Sequence, residues 1–310
     1  MTIFVPVPAF ETGTFLIMDK IEEYIVSRAG EILHGDVKIL NRLLGGMSNY
    51  TYVIECGGKK YTYRVPGKNA ELFVDRDNEY RTLKAVDPLE MNNRTVFFDV
   101  KSGEKMAEYV EGVILSSVDV VPYAESCANV LHRLHESGIR IDDYNLFGRL
   151  ESYEKLCAGY GFVHPDKYLR MRDTVREVYD RLRPAALVPC HCDFQPSNLV
   201  QAGDRLYVLD WEYAGMNDPY YDIACHGNVG YRESYALLKA YLGHEPGRDD
   251  IVRMNNLRAF QCLQWYNVAT AKEEIGLGKE LKMDFTQIAL FFLTSAEKII
   301  TAEDPTSGNW

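Results

Sequence analysis

Residues 191–210 read HCDFQPSNLVQAGDRLYVLD. Asp193 and Asn198 stand five positions apart, and Asp210 closes the hydrophobic run that follows. Phosphoryl transfer asks for this combination: a carboxylate to take the proton of an attacking hydroxyl, and oxygen ligands that hold Mg²⁺ on the phosphates. Taken singly, Asp193 and Asn198 are ordinary turn caps and Asp210 an ordinary strand end. The spacing D-x-x-x-x-N, then a strand, then D-x-E, is much harder to obtain by accident. Cys190-His191-Cys192 does not read as zinc, because adjacent positions rarely converge on one tetrahedral ion and no second ligand pair lies nearby.

Elements must position these groups. Pro189 and Pro196 work against a helix through the stretch, so it is expected as a loop, with LYVLD a buried strand leading into Asp210, Trp211 and Glu212. Upstream, apolar residues at helical spacing predict a helix over 19–33. Strands follow over 37–44, 51–56 and 60–65, joined at Gly45-Gly46 and Gly57-Gly58. A helix over 71–86 carries Glu79, and RTVFFDV and KMAEYV read as two more strands around Ser102-Gly103. Beyond Val110 helices are expected over 118–136, 166–182, 233–242, 249–275 and 285–302. The architecture is therefore α+β and two-lobed: a small β-rich lobe over 1–110, with 1–17 as a leader segment, and a larger, mainly helical lobe over 111–310.

LGGMSN, between the first two strands, lacks the G-x-x-x-x-G-K-[ST] of a Walker loop. A Gly-Gly pair there is most often only a hairpin turn. Next to Gly46, it would also let the backbone N–H groups of Met47, Ser48 and Asn49 approach phosphate oxygens.

Composition narrows the partners. With 34 basic against 45 acidic residues in 310, the net charge of −11 disfavours nucleic acid or an anionic membrane as the main partner. No apolar run is long enough to span a bilayer, and the opening residues lack the basic start of a signal peptide. Seven scattered cysteines without a C-x-x-C pair fit reduced thiols in the cytoplasm.

HCDFQPSN with LYVLDWEYAGMNDPYYDIA resembles the choline/ethanolamine kinase branch of the aminoglycoside-phosphotransferase-like kinases, bacterial LicA-type choline kinases in particular. LLGGMSNYTYVI, YTYRVPG, DRDNEY and EYVEG occur in the family's order, so the resemblance extends over most of residues 37–300. It implies a protein kinase-like fold, with ATP as co-substrate in the N-terminal lobe, Mg²⁺ as cofactor, and the acceptor in the C-terminal lobe. It makes Asp193 the catalytic base and Asn198 and Asp210 magnesium ligands. Gln195 falls inside the catalytic loop, facing the substrate, and Asp222 braces that loop. Glu212, on the same side as Asp210 if the segment is extended, holds a second magnesium or faces a substrate cation. Arg64 takes the place of the phosphate-binding lysine of protein kinases, where a guanidinium can grip oxygens in pairs, and Glu79 is its ion-pair partner. Backbone groups of Glu108 and Val110 would meet adenine.

A quaternary ammonium is held by aromatic faces backed by carboxylates. FQCLQWYNVA matches the helix where the family has W-x-x-W, and this chain has Cys262 and Trp265 there. One wall is kept, and Tyr266 or Tyr231 is expected to supply the other. The acceptor implied is choline or a related amino alcohol. The change at Cys262 leaves room for another small hydroxyl compound, such as an aminoglycoside, thiamine or a sugar. A non-catalytic nucleotide-binding protein is the third reading, and a monomer or homodimer is expected.

Overall fold

The computed structural model describes residues 12–43, 49–227, 230–281 and 283–304. The chain divides into two compact units, Met1–Gly112 and Val113–Trp310. In the first, α1 (Thr12–Leu33) precedes β1 (Val37–Leu43), β2 (Asn49–Cys56) and β3 (Lys59–Pro66). It begins inside the stretch set aside as a leader. Then come α2 (Arg76–Val86), β4 (Thr95–Phe98) and β5 (Lys105–Glu108). The five strands form one antiparallel sheet in the order β1-β2-β3-β5-β4.

Strand alternation builds this core. Tyr52 and Ile54 on β2, Tyr63 on β3 and Met106 on β5 bury against Ile25 and Ala29, one turn apart on α1. The helix expected over 71–86 is broken: a 3₁₀ turn covers Ala70–Leu72, and Asp75 caps α2 by accepting from the N–H of Asn78 at 3.0 Å. Gly103 turns the chain between β4 and β5 at φ 74°, where a Cβ would lie 2.9 Å from Pro66 and Arg76 atoms.

The second unit holds β6 (Val113–Ile114), α3 (Ala124–His135), α4 (Leu146–Gly159), α5 (Asp166–Leu182) and β7 (Val188–Cys190). Next are β8 (Leu199–Ala202), β9 (Arg205–Val208), β10 (Gly215–Asn217), α6 (Pro219–Gly227) and α7 (Tyr231–Leu242). Last come α8 (Arg248–Glu274), α9 (Leu277–Leu281) and α10 (Phe285–Ile300). Buried on nearly every side, α8 is the central post, with α4, α5, α6 and α10 packed around it. The 191–198 loop runs between two small sheets: β7 pairs with β10, and β8 pairs with β6 and β9. α3 starts six residues later than its sequence suggests, because Pro122 ends up in a 3₁₀ turn. Among the described residues no helix is long and apolar enough to cross a membrane.

Candidate active site

The stretch 191–198 is the expected loop, closed by a 3₁₀ turn at Pro196–Asn198. Asn198 donates from Nδ2 to Asp193 Oδ2 at 2.8 Å and to the Asp193 carbonyl at 2.9 Å. Gln195 Nε2 donates to the same carboxylate at 3.2 Å. The N–H of Leu209 donates to the Asn198 carbonyl at 2.8 Å, continuing the β8–β9 ladder and bringing Asp210 to the loop. His191 links the two segments: its Nδ1 accepts from the Asp193 N–H at 3.2 Å, and its Nε2 donates to the Leu209 carbonyl at 3.0 Å. Both bonds require the neutral Nε2–H tautomer.

Asp210 sits at φ 64°, in the left-handed region, and Glu212 lies in the turn that follows. The extended geometry expected from Asp210 to Glu212 is therefore absent, and alternation does not decide where Glu212 points. Both carboxylates still act electrostatically on Asp193. Burial pushes the Asp193 carboxyl well above the usual carboxylate range, and the charges of Asp210 and Glu212 add to it, against the bonds from Asn198 and Gln195. The Asp193 and Asp210 carboxylates and the Oδ1 of Asn198 are hard oxygen donors of the kind that suits Mg²⁺.

Asp222, on α6, holds the loop from behind. Its Oδ2 accepts from the His191 N–H at 2.9 Å and its Oδ1 from the Cys192 N–H at 2.7 Å. His135 Nε2 donates to Oδ2 at 3.1 Å, and Tyr241 hydroxyl meets His135 Nδ1 at 2.9 Å. These bonds keep Cys192 at φ 61°, a strained value for a side chain of its size. His135, Cys190 and Asp222 place donor atoms within 4.8 Å of one another. With both Asp222 oxygens engaged, and burial pushing the Cys190 thiol well up, this cluster is a brace rather than a metal centre.

Trp265, on α8, meets Tyr213 edge to face at 6.0 Å between ring centres and Phe292 of α10 at 6.5 Å. The other expected walls lie elsewhere. Tyr266 turns to Tyr168 at 5.3 Å and to Phe162 and His164 at 6.3 Å. Tyr231 packs on Tyr235 at 5.5 Å and lies 5.9 Å from the Arg258 guanidinium. Cys262 is buried one turn from Arg258, with its thiol pushed up to about 12 by burial. The groups that the sequence did not single out are Arg149, whose guanidinium is 4.4 Å from the Tyr144 ring and 6.0 Å from Tyr213, and Lys272 on α8. Gly215 on β10 admits Tyr144, whose Cα a Cβ there would approach to 2.8 Å.

In the first unit Arg64 and Glu79 form a buried two-bond pair, 2.8 Å on each side. Arg76 also bonds Glu79, at 2.7 Å, and Lys105 does so at 3.3 Å. Burial alone would raise the Glu79 carboxyl, but the Arg64 and Lys105 charges hold it well below the usual range. Arg76 reaches on to Asn49 Oδ1 at 3.2 Å. Gly46, Met47 and Ser48 lie outside the described residues. At the end of β5 the Glu108 N–H is committed to the Arg94 carbonyl at 2.9 Å, and its carbonyl accepts from Asn93 Nδ2 at 2.9 Å. Of the pair expected at adenine, Val110 is the one beyond the strand's end. Arg76 was legible, three residues before Glu79 on one helix face. Lys105 was not, since its pairing with Arg64 is a matter of strand register.

Over residues 39–255 the sequence matches the family described as Phosphotransferase enzyme family. It is 30% identical over 189 residues to the protein LicA of Haemophilus influenzae, covering 58% of this chain but 55% of that protein. Thiamine kinase of Salmonella paratyphi C is 28% identical over 165 residues, 52% of this chain and 56% of that one. The chain thus spans little more than half the length of these two relatives. The fold is similar to the crystal structure of choline kinase LicA from Streptococcus pneumoniae, with a TM-score of 0.74, 24% identity, and 91% and 99% of the two chains covered.

Proposed function

Since the chain belongs to the phosphotransferase enzyme family, we propose that it is a small-molecule kinase, transferring the γ-phosphate of ATP to the hydroxyl of choline or a related amino alcohol. The observation that carries this reading is that Asn198 bonds the Asp193 carboxylate while the Leu209 N–H, bonded to the Asn198 carbonyl, brings the adjacent Asp210 to the same loop. Asp193 takes the acceptor's hydroxyl proton; its crowded carboxylate is a stronger base than a solvated one. Asn198 and Asp210 hold Mg²⁺, which supplies charge neutralisation on the transferring phosphate. Gln195 keeps the Asp193 carboxylate oriented. The three cations around Glu79, Arg64 foremost, leave a local excess of positive charge of the kind that ATP phosphates need. Val110 belongs to the nucleotide side. Trp265 and Tyr213 face the acceptor. The seven cysteines are all free, which suits a reducing compartment, and we place the enzyme in the cytoplasm.

A second reading, the same chemistry on another small alcohol such as thiamine, is favoured by Cys262 in place of an aromatic wall and by the thiamine kinase relative. An ADP-release assay across choline, ethanolamine, thiamine and an aminoglycoside separates the two. Asp193→Asn should lower turnover about 10²–10⁴-fold while MgATP still binds. Near wild-type turnover in that variant would remove the base from the scheme.

A further inference from the structure

Glu104 stands one residue past the turn at Gly103 and is 6% exposed. A carboxylate this deep needs donors, and two elements supply them. Tyr24 of α1 donates its hydroxyl to Glu104 Oε1, and Tyr63 of β3 donates to Oε2 at 2.9 Å. The Arg28 guanidinium, one turn along α1 from Tyr24, comes to 4.0 Å from Oε2. The Tyr24 hydroxyl is pushed up to about 12, first by its bond to Glu104, so it keeps its proton at neutral pH. The two neighbours of Glu104 serve the other face of the sheet. Lys105 points there by strand alternation and reaches Glu79 at 3.3 Å. The Gly103 carbonyl accepts from Arg64 Nη2 at 3.1 Å. Register ties the faces together: Tyr63 pairs with Met106, and Arg64 pairs with Lys105. The turn at 103–105 is thus pinned by α1 on one face and touches both members of the Arg64–Glu79 pair on the other.

We propose that Glu104 is a positioning residue for the nucleotide site and that α1 acts through it: the Tyr24 bond fixes the turn whose carbonyl steadies the Arg64 guanidinium in its fork with Glu79. The proposal rests on the kinase reading above and goes further, since it gives the N-terminal helix a part in ATP affinity. Without the Tyr24 bond, the Gly103 carbonyl is no longer held in place beside Arg64. The guanidinium then loses the fixed orientation that gripping two phosphate oxygens needs.

Tyr24→Phe removes one hydroxyl and keeps the ring. Its Kd for MgATP, measured by calorimetry, should rise about fivefold, the size of one net hydrogen bond, with kcat and the acceptor KM unchanged. The decisive measurement is a double-mutant cycle with Arg64→Lys. If Tyr24 acts through Arg64, Tyr24→Phe should change Kd by less than about twofold in that background. An equal effect in both backgrounds overturns the proposal, as does an unchanged Kd in a folded Tyr24→Phe protein. Ile25→Val loosens the packing of α1 in the core without touching Glu104, and should lower the melting temperature at wild-type Kd. A rise in Kd as large as that of Tyr24→Phe would assign the effect to helix stability and overturn the positioning role. Wild-type protein that binds no MgATP would sink the kinase reading and this proposal with it, whereas binding with an additive cycle sinks the proposal alone.

Discussion

Arg64 grips Glu79 through two parallel bonds of 2.8 Å, a fork that a lysine ammonium cannot reproduce. Arg64→Lys keeps the charge and loses the fork. Its KM for MgATP should rise about tenfold, a loss of about 1.4 kcal/mol, with a smaller change in kcat; steady-state kinetics checks this, and an unchanged KM would remove Arg64 from the phosphate site. At this scale much was legible. Asp193, Asn198 and Asp210 stand out by spacing and side-chain chemistry, and Arg64 with Glu79 by strand-then-helix order. What could not be read were consequences of backbone handedness and register. The positive φ of Asp210 sends Glu212 into a turn that alternation cannot anticipate, and Lys105 joins the cluster only because β5 pairs with β3. Lys272 was visible two turns from Trp265, but a lone lysine on a helix is ordinarily a solvated surface charge.

Among the elements, α4 and α6 escaped the sequence for different reasons. In α4, Leu146, Leu150, Tyr153 and Cys157 are buried at helical spacing, but Gly148 and the polar residues between them blur the stripe. α6 begins at a proline and buries nearly every side chain in nine residues, so it has no polar face to set a period. Burial on α6 has a measurable consequence at His226, which packs its ring 5.9 Å from Phe194 of the 191–198 loop. Burial lowers its pKa from 6.5 to about 4, with a hydrogen bond to the Phe194 backbone opposing. The unfolded chain takes up this proton first. The contribution of neutral His226 is therefore complete above about pH 6.5 and lost as pH falls through about 4. The limit set by the shift is on the order of 3 kcal/mol. Urea unfolding of the wild type should show stability falling across that window, and His226→Gln, which does not titrate, should flatten the slope. Equal slopes in the two proteins would show that His226 does not carry the acid sensitivity.

For the whole molecule, a net charge of −11 conceals two opposite local fields. In the first unit three cations surround one carboxylate, Glu79; in the second, Asp193, Asp210 and Glu212 crowd together. The first cluster suits an anion such as a nucleotide phosphate, and the second suits a cation such as Mg²⁺. Ligand binding to the folded state raises stability by about 2.7 kcal/mol at a hundredfold excess over Kd, which for a chain of this size moves the melting temperature on the order of 2–4 °C. MgATP should produce that shift, and ATP with EDTA a distinctly smaller one. If Asp210 holds the metal as proposed, Asp210→Asn should erase the difference between the two ligands. If Arg64 meets phosphate as proposed, Arg64→Lys should reduce both shifts together, with or without the metal. Equal shifts with and without magnesium in the wild type would mean that the acidic cluster does not meet the nucleotide's metal, and Asn198 and Asp210 would then need another role.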